Sequence, residues 1–276
     1  MACPCSYFHA GNEPGSGVNK SEGQPTFKTV ISAGRTGTVF LTHWINSQAE
    51  KEIAVHEPSF SRAVYLLGNL FGYHGWSRSG LIRLYIATRK NRFAGSPDYI
   101  ELNPFLCPVA DVLADIPCSL QVAHLVRDPR TWVPSLISHE ASGRRKVLIR
   151  SVPFNLPRDR KFGREWRSMT LVQKMLWRWS SFNRRISTLE RGGCQYGLFR
   201  YEDLFSGKAE IREQSRGRFL RFLDLAPAAS AGDFGPGKHY NASLKNAQFE
   251  YSNWTEREKT FLQDIAGDQL RQFQYQ

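Results

Sequence analysis

The stretch Thr29–Asn46, TVISAGRTGTVFLTHWIN, joins a short apolar run, a loop of small residues and a second apolar segment with helical spacing. This order predicts a β-strand, a tight loop and an α-helix. Gly34 and Gly37 permit positive φ angles and a close approach of the main chain to a ligand. A helix that begins near Thr38 directs unpaired N–H groups and its positive dipole end into the loop. The loop is therefore predicted to bind an anion.

The loop does not follow the Walker A pattern, in which the second glycine is followed by lysine. Here Gly37 is followed by Thr38 and Val39, and the one cation of the loop, Arg35, stands two positions before that glycine. A nucleoside triphosphate with magnesium is therefore not the ligand that the loop favours. An ordinary glycine turn between a strand and a helix stays open as the alternative.

Strands and helices alternate after this loop. Strands are predicted at Glu52–His56, Tyr99–Leu102 and Gln121–Val126. Helices are predicted at Arg62–Phe71, at Pro108–Asp115, where the proline begins the helix, and at Ser168–Glu190. Ile82–Ile86 fits either a strand or a helix. The alternation is typical of βαβ units, so we predict an α/β fold of three layers, with helices on both faces of a central parallel sheet, as in P-loop nucleotide hydrolases.

Two titratable residues, His56 and Glu57, follow the strand Glu52–His56, at the edge where parallel sheets bind ligands. Glu57 is a candidate catalytic base that takes a proton from an acceptor hydroxyl, and His56 competes for this role with an ordinary pKa nearer neutrality. Pro58 follows directly, so a carboxylate that only stabilises a turn is the alternative interpretation of Glu57. For His56 a structural role is the alternative.

A second candidate anion site lies at the end of the strand Gln121–Val126. The sequence there, HLVRDPR, places Arg127 at the carboxyl end of the strand and Ser135 eight residues later, on the helix that follows. Such a pair can reach one phosphate from two sides, the arginine as a forked cation and the serine as a hydroxyl donor. A single Arg-Asp-Pro segment could be an ordinary turn with a salt bridge. The presence of two candidate anion sites at strand ends of one chain is harder to explain in this way.

Length and composition favour one large α/β domain over two, since 276 residues with 41% hydrophobic content can bury a full core. The formal net charge of +12 predicts an anionic partner. Gly143–Arg167 holds nine Lys or Arg and two acidic residues. This basic stretch either forms a solvated surface loop or binds a ligand. No zinc-finger spacing, RRM-type motif or helix-turn-helix is recognisable, so no specific nucleic acid is expected.

The first 25 residues are rich in Gly, Pro, Ser and Asn and are predicted to form a disordered tail that ends near Pro25. They lack the charged and apolar regions of a secretory signal. No window holds the ~20 apolar residues of a membrane span. Five scattered cysteines argue against a disulfide framework, and Cys3 and Cys5 lack a second ligand pair at zinc spacing. We therefore expect a soluble cytoplasmic protein without a metal.

These motifs together resemble the sulfotransferases that use 3′-phosphoadenosine 5′-phosphosulfate (PAPS). Arg35–Thr38 resembles their 5′-phosphosulfate loop, and Arg127–Ser135 resembles their 3′-phosphate segment, with the same interval from arginine to serine. Tyr201–Leu204 is similar to the family's Tyr-Glu-Asp-Leu segment, whose tyrosine contacts adenine. The resemblance extends from Lys28 to the end of the chain, so 26–276 is predicted to be one sulfotransferase-like domain.

The resemblance implies transfer of a sulfuryl group from PAPS to a hydroxyl or amine, without a metal. Arg35 would stabilise the leaving nucleotide, Thr36, Gly37 and Thr38 would hold its 5′-phosphate, and Arg127 with Ser135 its 3′-phosphate. Phe40 and Tyr201 would pack on adenine, with an ordinary core position as the alternative. The basic stretch at about 143–167 occupies the place of the family's acceptor-binding insertion. It implies a small-molecule or glycan acceptor that is anionic or hydroxyl-rich.

Several positions depart from parts of the family. Val39 stands where many members have serine or threonine, and Arg35 stands where the cytosolic branch has lysine, as in Golgi-type and many bacterial members. The catalytic histidine of the cytosolic branch has no counterpart, whereas Glu57 matches the position of the base proposed in the protein-tyrosine branch. A P-loop kinase with a degenerate phosphate loop, and a non-catalytic basic module that binds nucleic acid or acidic glycan, stay open as alternatives. The sequence does not fix the acceptor or the oligomeric state.

Overall fold

A computed structural model describes residues 26–49, 51–89, 92, 98–116, 118–141, 163–226 and 247–275. The predicted tail 1–25 and residues 143–162 of the basic stretch lie outside these ranges. The extent of a single domain over 26–276 stays a prediction.

The centre of the described chain is a sheet of five parallel strands in the order β2-β3-β1-β4-β5. The strands are β1 (Thr26–Ile31), β2 (Ala54–His56), β3 (Ile100–Leu102), β4 (Ser119–Val126) and β5 (Gln195–Arg200). In the middle of the sheet, Val30 of β1 is in register with Leu102 on one side and Ala123 on the other. Their side chains are fully buried, as expected for parallel strands covered on both faces.

The α-helices within the described ranges are α1 (Thr38–Ser47), α2 (Ser61–His74), α3 (Ser79–Ala87), α4 (Pro129–Ala141), α5 (Gly163–Ser168), α6 (Leu171–Ser187), α7 (Tyr201–Leu204), α8 (Ala209–Phe222) and α9 (Glu256–Gln272). Short 3₁₀ segments span Pro104–Asp115, Thr188–Arg191, Ala247–Phe249 and Tyr251–Asn253. None of the helices in these ranges combines the length and apolar character that crossing a bilayer requires.

Two hydrophobic clusters lie against the sheet. The larger joins α2, α3, α4, α6 and α9, with Trp132 and Trp179 fully buried in it. The smaller joins α1 and α8 to strand residues such as Val30 and Leu125. The predicted three-layer α/β/α architecture with a central parallel sheet is therefore confirmed.

Two predicted helices have wrong boundaries. The segment predicted to begin at Pro108 is a 3₁₀ helix that begins at Pro104, because the Asn103 side chain accepts a hydrogen bond from the Phe105 N–H and caps it there. The long helix predicted at Ser168–Glu190 is shorter at both ends. A capping box formed by Thr170 and Gln173 begins α6 at Leu171, and its last turn tightens into 3₁₀ geometry. The undecided segment Ile82–Ile86 lies inside α3.

Candidate active site

The loop between β1 and α1 curls through three residues with positive φ: Gly34 at 90°, Arg35 at 56° and Gly37 at 76°. A Cβ atom added to Gly34 meets no atom within 4 Å, so the main chain there is open to a ligand. A Cβ added to Gly37 would lie 2.5 Å from the ring of Phe205. Gly37 is therefore required both by its conformation and by the aromatic ring packed over it.

Side chains at the base of the loop hold this conformation. Ser32 Oγ accepts hydrogen bonds from the Gly34 N–H, at 3.1 Å, and from the Thr36 hydroxyl, at 2.8 Å. The indole N–H of Trp132 donates to the Gly34 carbonyl at 2.6 Å. The Thr36 side chain is buried and turned into the loop. The Thr36 hydroxyl is thus engaged with Ser32, and the whole residue, at 1% exposed, offers little surface for the predicted phosphate contact.

Arg127 connects the two predicted anion-binding segments. Its Nη1 donates to the main-chain carbonyl of Arg35 at 2.9 Å and to Ser135 Oγ at 3.3 Å. Its Nε donates to the Thr131 hydroxyl at 3.1 Å. Trp179 fixes the same residue from behind by donating its indole N–H to the Arg127 carbonyl at 2.8 Å. Arg35, Arg127 and Ser135 thus meet at one edge of the sheet.

The two arginines influence each other electrostatically. Burial lowers the pKa of Arg35, the nearby charge of Arg127 lowers it further, and Tyr201 acts in the opposite direction. Both effects penalise the charged form of Arg35 in the absence of a ligand. Because an anion between the two guanidinium groups would relieve this repulsion, the arrangement favours an anionic ligand.

Tyr201 lies beside the same cation. The Cζ atom of Arg127 is 4.4 Å from the centre of the Tyr201 ring, and Phe205 stacks on that ring at 4.6 Å. The next residue, Glu202, accepts hydrogen bonds from the Asp128 N–H at 2.9 Å and from the Tyr275 hydroxyl at 2.8 Å. The segment Tyr201–Leu204 is therefore attached to the beginning of the predicted 3′-phosphate segment.

The structure places Phe40 differently from the other predicted nucleotide contacts. Its side chain is 8% exposed and belongs to the smaller hydrophobic cluster. It meets Phe205 edge to face at 5.2 Å, and the Arg216 guanidinium lies 5.3 Å from its ring centre. Phe40 thus supports the aromatic ring that covers the loop and presents little surface of its own.

The two candidate bases lie next to the loop. The Thr38 hydroxyl and His56 Nε2 share a hydrogen bond of 3.0 Å, and Glu57 Oε1 lies 3.8 Å from the same nitrogen. Burial, with a smaller effect of His43, lowers the pKa of His56 to about 4. Burial raises the pKa of Glu57, against a smaller opposing effect of Arg62. A neutral imidazole and a carboxylate of increased basicity therefore stand side by side.

A buried polar network lies behind the Glu57 loop. The carboxylate of Glu101 on β3 is fully buried and accepts hydrogen bonds from Arg89 Nε at 2.7 Å, from the Tyr99 hydroxyl at 2.9 Å and from the Tyr85 hydroxyl. Arg89 also donates to the Ser59 carbonyl, two residues after Glu57. Arg89 therefore anchors the loop in which Glu57 adopts a φ of 43°.

Several residues of this region were not predicted to belong to the site. Trp132 lies within the Arg127–Ser135 motif, and Ser32 lies just before the Arg35–Thr38 motif. The sequence did not indicate which groups their indole and hydroxyl would bind. Phe205 directly follows the Tyr-Glu-Asp-Leu segment. Glu101 is a charged residue between the apolar residues Ile100 and Leu102, and such a residue indicates a buried ion pair once the fold brings a cation such as Arg89 to it.

The fold matches that of a solved structure described as the sulfotransferase domain from the curacin biosynthetic pathway. The match covers 89% of this chain and 97% of that chain, with a TM-score of 0.50 and 12% sequence identity. A scan against models of protein families and a search of curated protein sequences found no match. The chain therefore has a sulfotransferase fold, and the predicted resemblance is confirmed at the level of the fold.

Proposed function

We propose that the protein is a PAPS-dependent sulfotransferase that moves a sulfuryl group to a hydroxyl or amine of an acceptor. The observation that carries this proposal is the hydrogen bond of 2.9 Å between Arg127 Nη1 and the carbonyl of Arg35. It joins two anion-binding segments that are 92 residues apart in the chain. A nucleotide with phosphates at both its 3′ and 5′ positions matches two such segments better than a nucleotide with a single phosphate chain.

The side chains at the site fit such a nucleotide. Arg127 and Ser135 offer a cation and a hydroxyl for the 3′-phosphate, and the loop offers main-chain N–H groups at Gly37 and at Thr38, where α1 begins, for the 5′-phosphate, with buried Thr36 holding the loop in shape. Tyr201 supports the Arg127 guanidinium on one ring face and stacks on Phe205, so its ring edge and hydroxyl are the parts left to contact adenine. PAPS, when bound, supplies the sulfuryl group that is transferred.

The chain's own groups account for the remaining chemistry. Arg35 stabilises the negative charge that grows on the leaving nucleotide, a role for which a positioned cation contributes on the order of 10²-fold in rate. Glu57 accepts the proton of the acceptor hydroxyl, and its raised pKa makes it a stronger base than an exposed glutamate. His56 keeps the Thr38 hydroxyl oriented, since its low pKa leaves it neutral at physiological pH.

Isothermal titration calorimetry with adenosine 3′,5′-bisphosphate and with ATP, both in the presence of EDTA, tests this proposal. We expect micromolar affinity for the bisphosphate and much weaker binding of ATP. Arg127→Gln should lower the affinity for the bisphosphate on the order of 10²-fold, since truncating one partner of a hydrogen-bonded charge pair costs ~2–5 kcal/mol.

The matched control is Arg221→Gln, an exposed arginine on α8, on the opposite side of the sheet from α2 and α6. Its affinity should equal that of the wild type. Equal binding of ATP and the bisphosphate, or equal losses in both variants, would contradict the proposal. Acceptor-dependent release of the bisphosphate from PAPS, reduced on the order of 10²-fold in Arg35→Gln, would then establish transfer.

A further inference from the structure

An exposed arginine lies beside the candidate base. Arg62, on the first turn of α2, has the largest electrostatic effect of any neighbour on Glu57, and its guanidinium carbon is 6.0 Å from the centre of the Phe105 ring. Within the described part of the chain, no carboxylate forms a salt bridge with Arg62. The exposed Arg62 guanidinium, close enough to influence Glu57, is therefore accessible to an anionic group of a ligand.

Two aromatic residues belong to the same region, Phe105 near the Arg62 guanidinium and Phe60 two residues before Arg62 in the chain. Phe105 follows β3 by three residues and packs on the buried Tyr65 with ring centres 5.3 Å apart. Phe60 precedes α2 with a φ of 72° and is 38% exposed. A large apolar side chain held partly in solvent in this strained conformation is unusual, and such strain clusters at binding sites.

Main-chain contacts bring these groups to the carboxyl edge of the sheet. The Glu57 N–H donates to the carbonyl of Leu102, the last residue of β3, at 3.2 Å. The Asn103 N–H donates to the carbonyl of Val30 on β1 at 2.9 Å, directly before the phosphate loop. The base, the cation and the aromatic rings therefore share an edge with the proposed donor site.

We propose that Phe60, Arg62 and Phe105 form the acceptor site, and that the acceptor carries an anionic group and an apolar or aromatic body beside the hydroxyl that is sulfated. This inference rests on the proposed function. Arg62 binds the anionic group by charge-assisted hydrogen bonds, the two rings contact the apolar body, and the hydroxyl is left facing Glu57. The site selects acceptors that bring their own negative charge to Arg62.

Two probes of matched shape test the inference: 4-hydroxyphenylacetate, which has an aromatic body, a hydroxyl and a carboxylate, and its uncharged methyl ester. Each is titrated calorimetrically into the full chain, with and without saturating adenosine 3′,5′-bisphosphate. We expect the carboxylate to bind roughly tenfold more tightly than the ester. Arg62→Gln should abolish this preference, Arg62→Lys should retain part of it, and Arg221→Gln, the exposed control on α8, should leave it unchanged.

The outcomes separate this inference from the proposed function. Failure of the bisphosphate to bind the wild type would contradict the proposed function, whereas the titrations without nucleotide still measure the contact of Arg62 with an anion. No binding of the carboxylate, equal binding of both probes, or an unchanged preference in Arg62→Gln would overturn the acceptor site. Unaltered affinity of Arg62→Gln for the bisphosphate is expected, because Arg62 does not belong to the donor site.

Discussion

Two arginines beside the sheet, Arg89 next to β3 and Arg127 at the end of β4, are held in opposite ways. The side chain of Arg89 is 3% exposed and pairs with the fully buried carboxylate of Glu101. Arg127 is only partly buried and donates to oxygens without formal charge: the Arg35 carbonyl and the hydroxyls of Thr131 and Ser135. One cation is neutralised inside the protein, and the other is oriented by neutral groups and is assigned by the proposed function to a ligand's phosphate.

The difference shows how one residue type serves two purposes in a single fold. In a buried ion pair each charge is compensated by the other, and removing one partner leaves an uncompensated charge. Arg89 therefore fixes its neighbours in place and has no charge left to attract a ligand. A cation that is oriented by neutral acceptors keeps most of its electrostatic attraction for an anion. The most direct test is to remove the compensating charge from the Arg89 pair and to add a compensating carboxylate beside Arg127.

Breaking the neutralised pair is expected to have the largest effect. Arg89→Met leaves the Glu101 carboxylate buried without its cation, and we expect the free energy of unfolding to fall by about 3–5 kcal/mol. Urea denaturation measures this change. The double variant Arg89→Met with Glu101→Leu should recover much of the loss, because neither charge is then buried. If the double variant is as unstable as Arg89→Met, the loss does not come from the uncompensated charge of Glu101.

Glu57 lies between the two regions, and its removal should have the next largest effect. Glu57→Gln should lower kcat on the order of 10²-fold or more, since the acceptor proton then has no base. In the wild type, kcat/KM should fall on acidification at a pH above ~4.3, the ordinary pKa of glutamate, because burial raises the pKa of Glu57. The pH dependence of the initial rate, measured for both proteins, checks the expectation.

Glu57→Gln should lower activity but raise the stability of the folded protein at neutral pH. A carboxyl whose pKa is raised in the folded state binds protons more tightly there than in the unfolded chain, so folding is weakened as pH rises through the raised pKa. Glu57→Gln should therefore increase the free energy of unfolding at neutral pH while it decreases activity. A loss of stability at neutral pH would show that Glu57 stabilises its loop, as the turn interpretation holds.

Supplying Arg127 with a carboxylate should have a smaller effect, confined to binding. Ser135→Asp places a carboxylate on the residue whose hydroxyl oxygen is 3.3 Å from Arg127 Nη1, which converts this arginine into a compensated cation like Arg89. We expect the affinity for adenosine 3′,5′-bisphosphate to fall roughly 30-fold to 100-fold by calorimetry. The free energy of unfolding should change by only about 0–1 kcal/mol, as for exposed ion pairs.

The neutral variant Ser135→Asn is the matched control for this substitution. It changes size and hydrogen bonding by a similar amount without adding charge, so its loss of affinity should be several-fold smaller than that of Ser135→Asp. Equal losses would mean that the Ser135 hydroxyl, and not the charge balance of Arg127, determines binding.

Much of the fold and the positions of the motifs could be predicted because they depend on local patterns. The strand, loop and helix around Gly34 and Gly37 follow from glycine spacing and apolar periodicity, and the meeting of Arg127 with that loop follows from the parallel sheet, whose strand ends share one edge. The wrong helix boundaries arose where side-chain caps decided the ends. Thr170 and Asn103 were capping residues whose partners only the structure identified.

Contacts between distant residues were not predictable from one sequence. The burial of Phe40 depends on Phe205, which lies 165 residues later in the chain. The pairing of Arg89 with Glu101 depends on the register of β3. In each case the residue type was visible, whereas its partner was determined by packing between separate elements.

His56 connects the two regions, and its substitution should have the smallest effect. Its hydrogen bond of 3.0 Å with Thr38 joins the end of β2 to the phosphate loop, and its pKa of about 4 keeps the ring neutral at the pH where a raised Glu57 pKa governs activity. His56→Gln should therefore reduce the affinity for adenosine 3′,5′-bisphosphate by only about threefold, since one neutral hydrogen bond is altered. The acid limb of kcat/KM should stay where it is in the wild type.

Stability provides an independent readout for this last substitution. An unfolded histidine titrates near 6.5, whereas folded His56 titrates at about 4, so its contribution to stability is present above pH ~6.5 and is lost as pH falls toward 4. His56→Gln should flatten this decline without abolishing it, because buried His124, whose pKa is also about 4, contributes in the same interval. A shift of the acid limb of kcat/KM in His56→Gln, with an unchanged limb in Glu57→Gln, would transfer the role of base from the carboxylate to the imidazole.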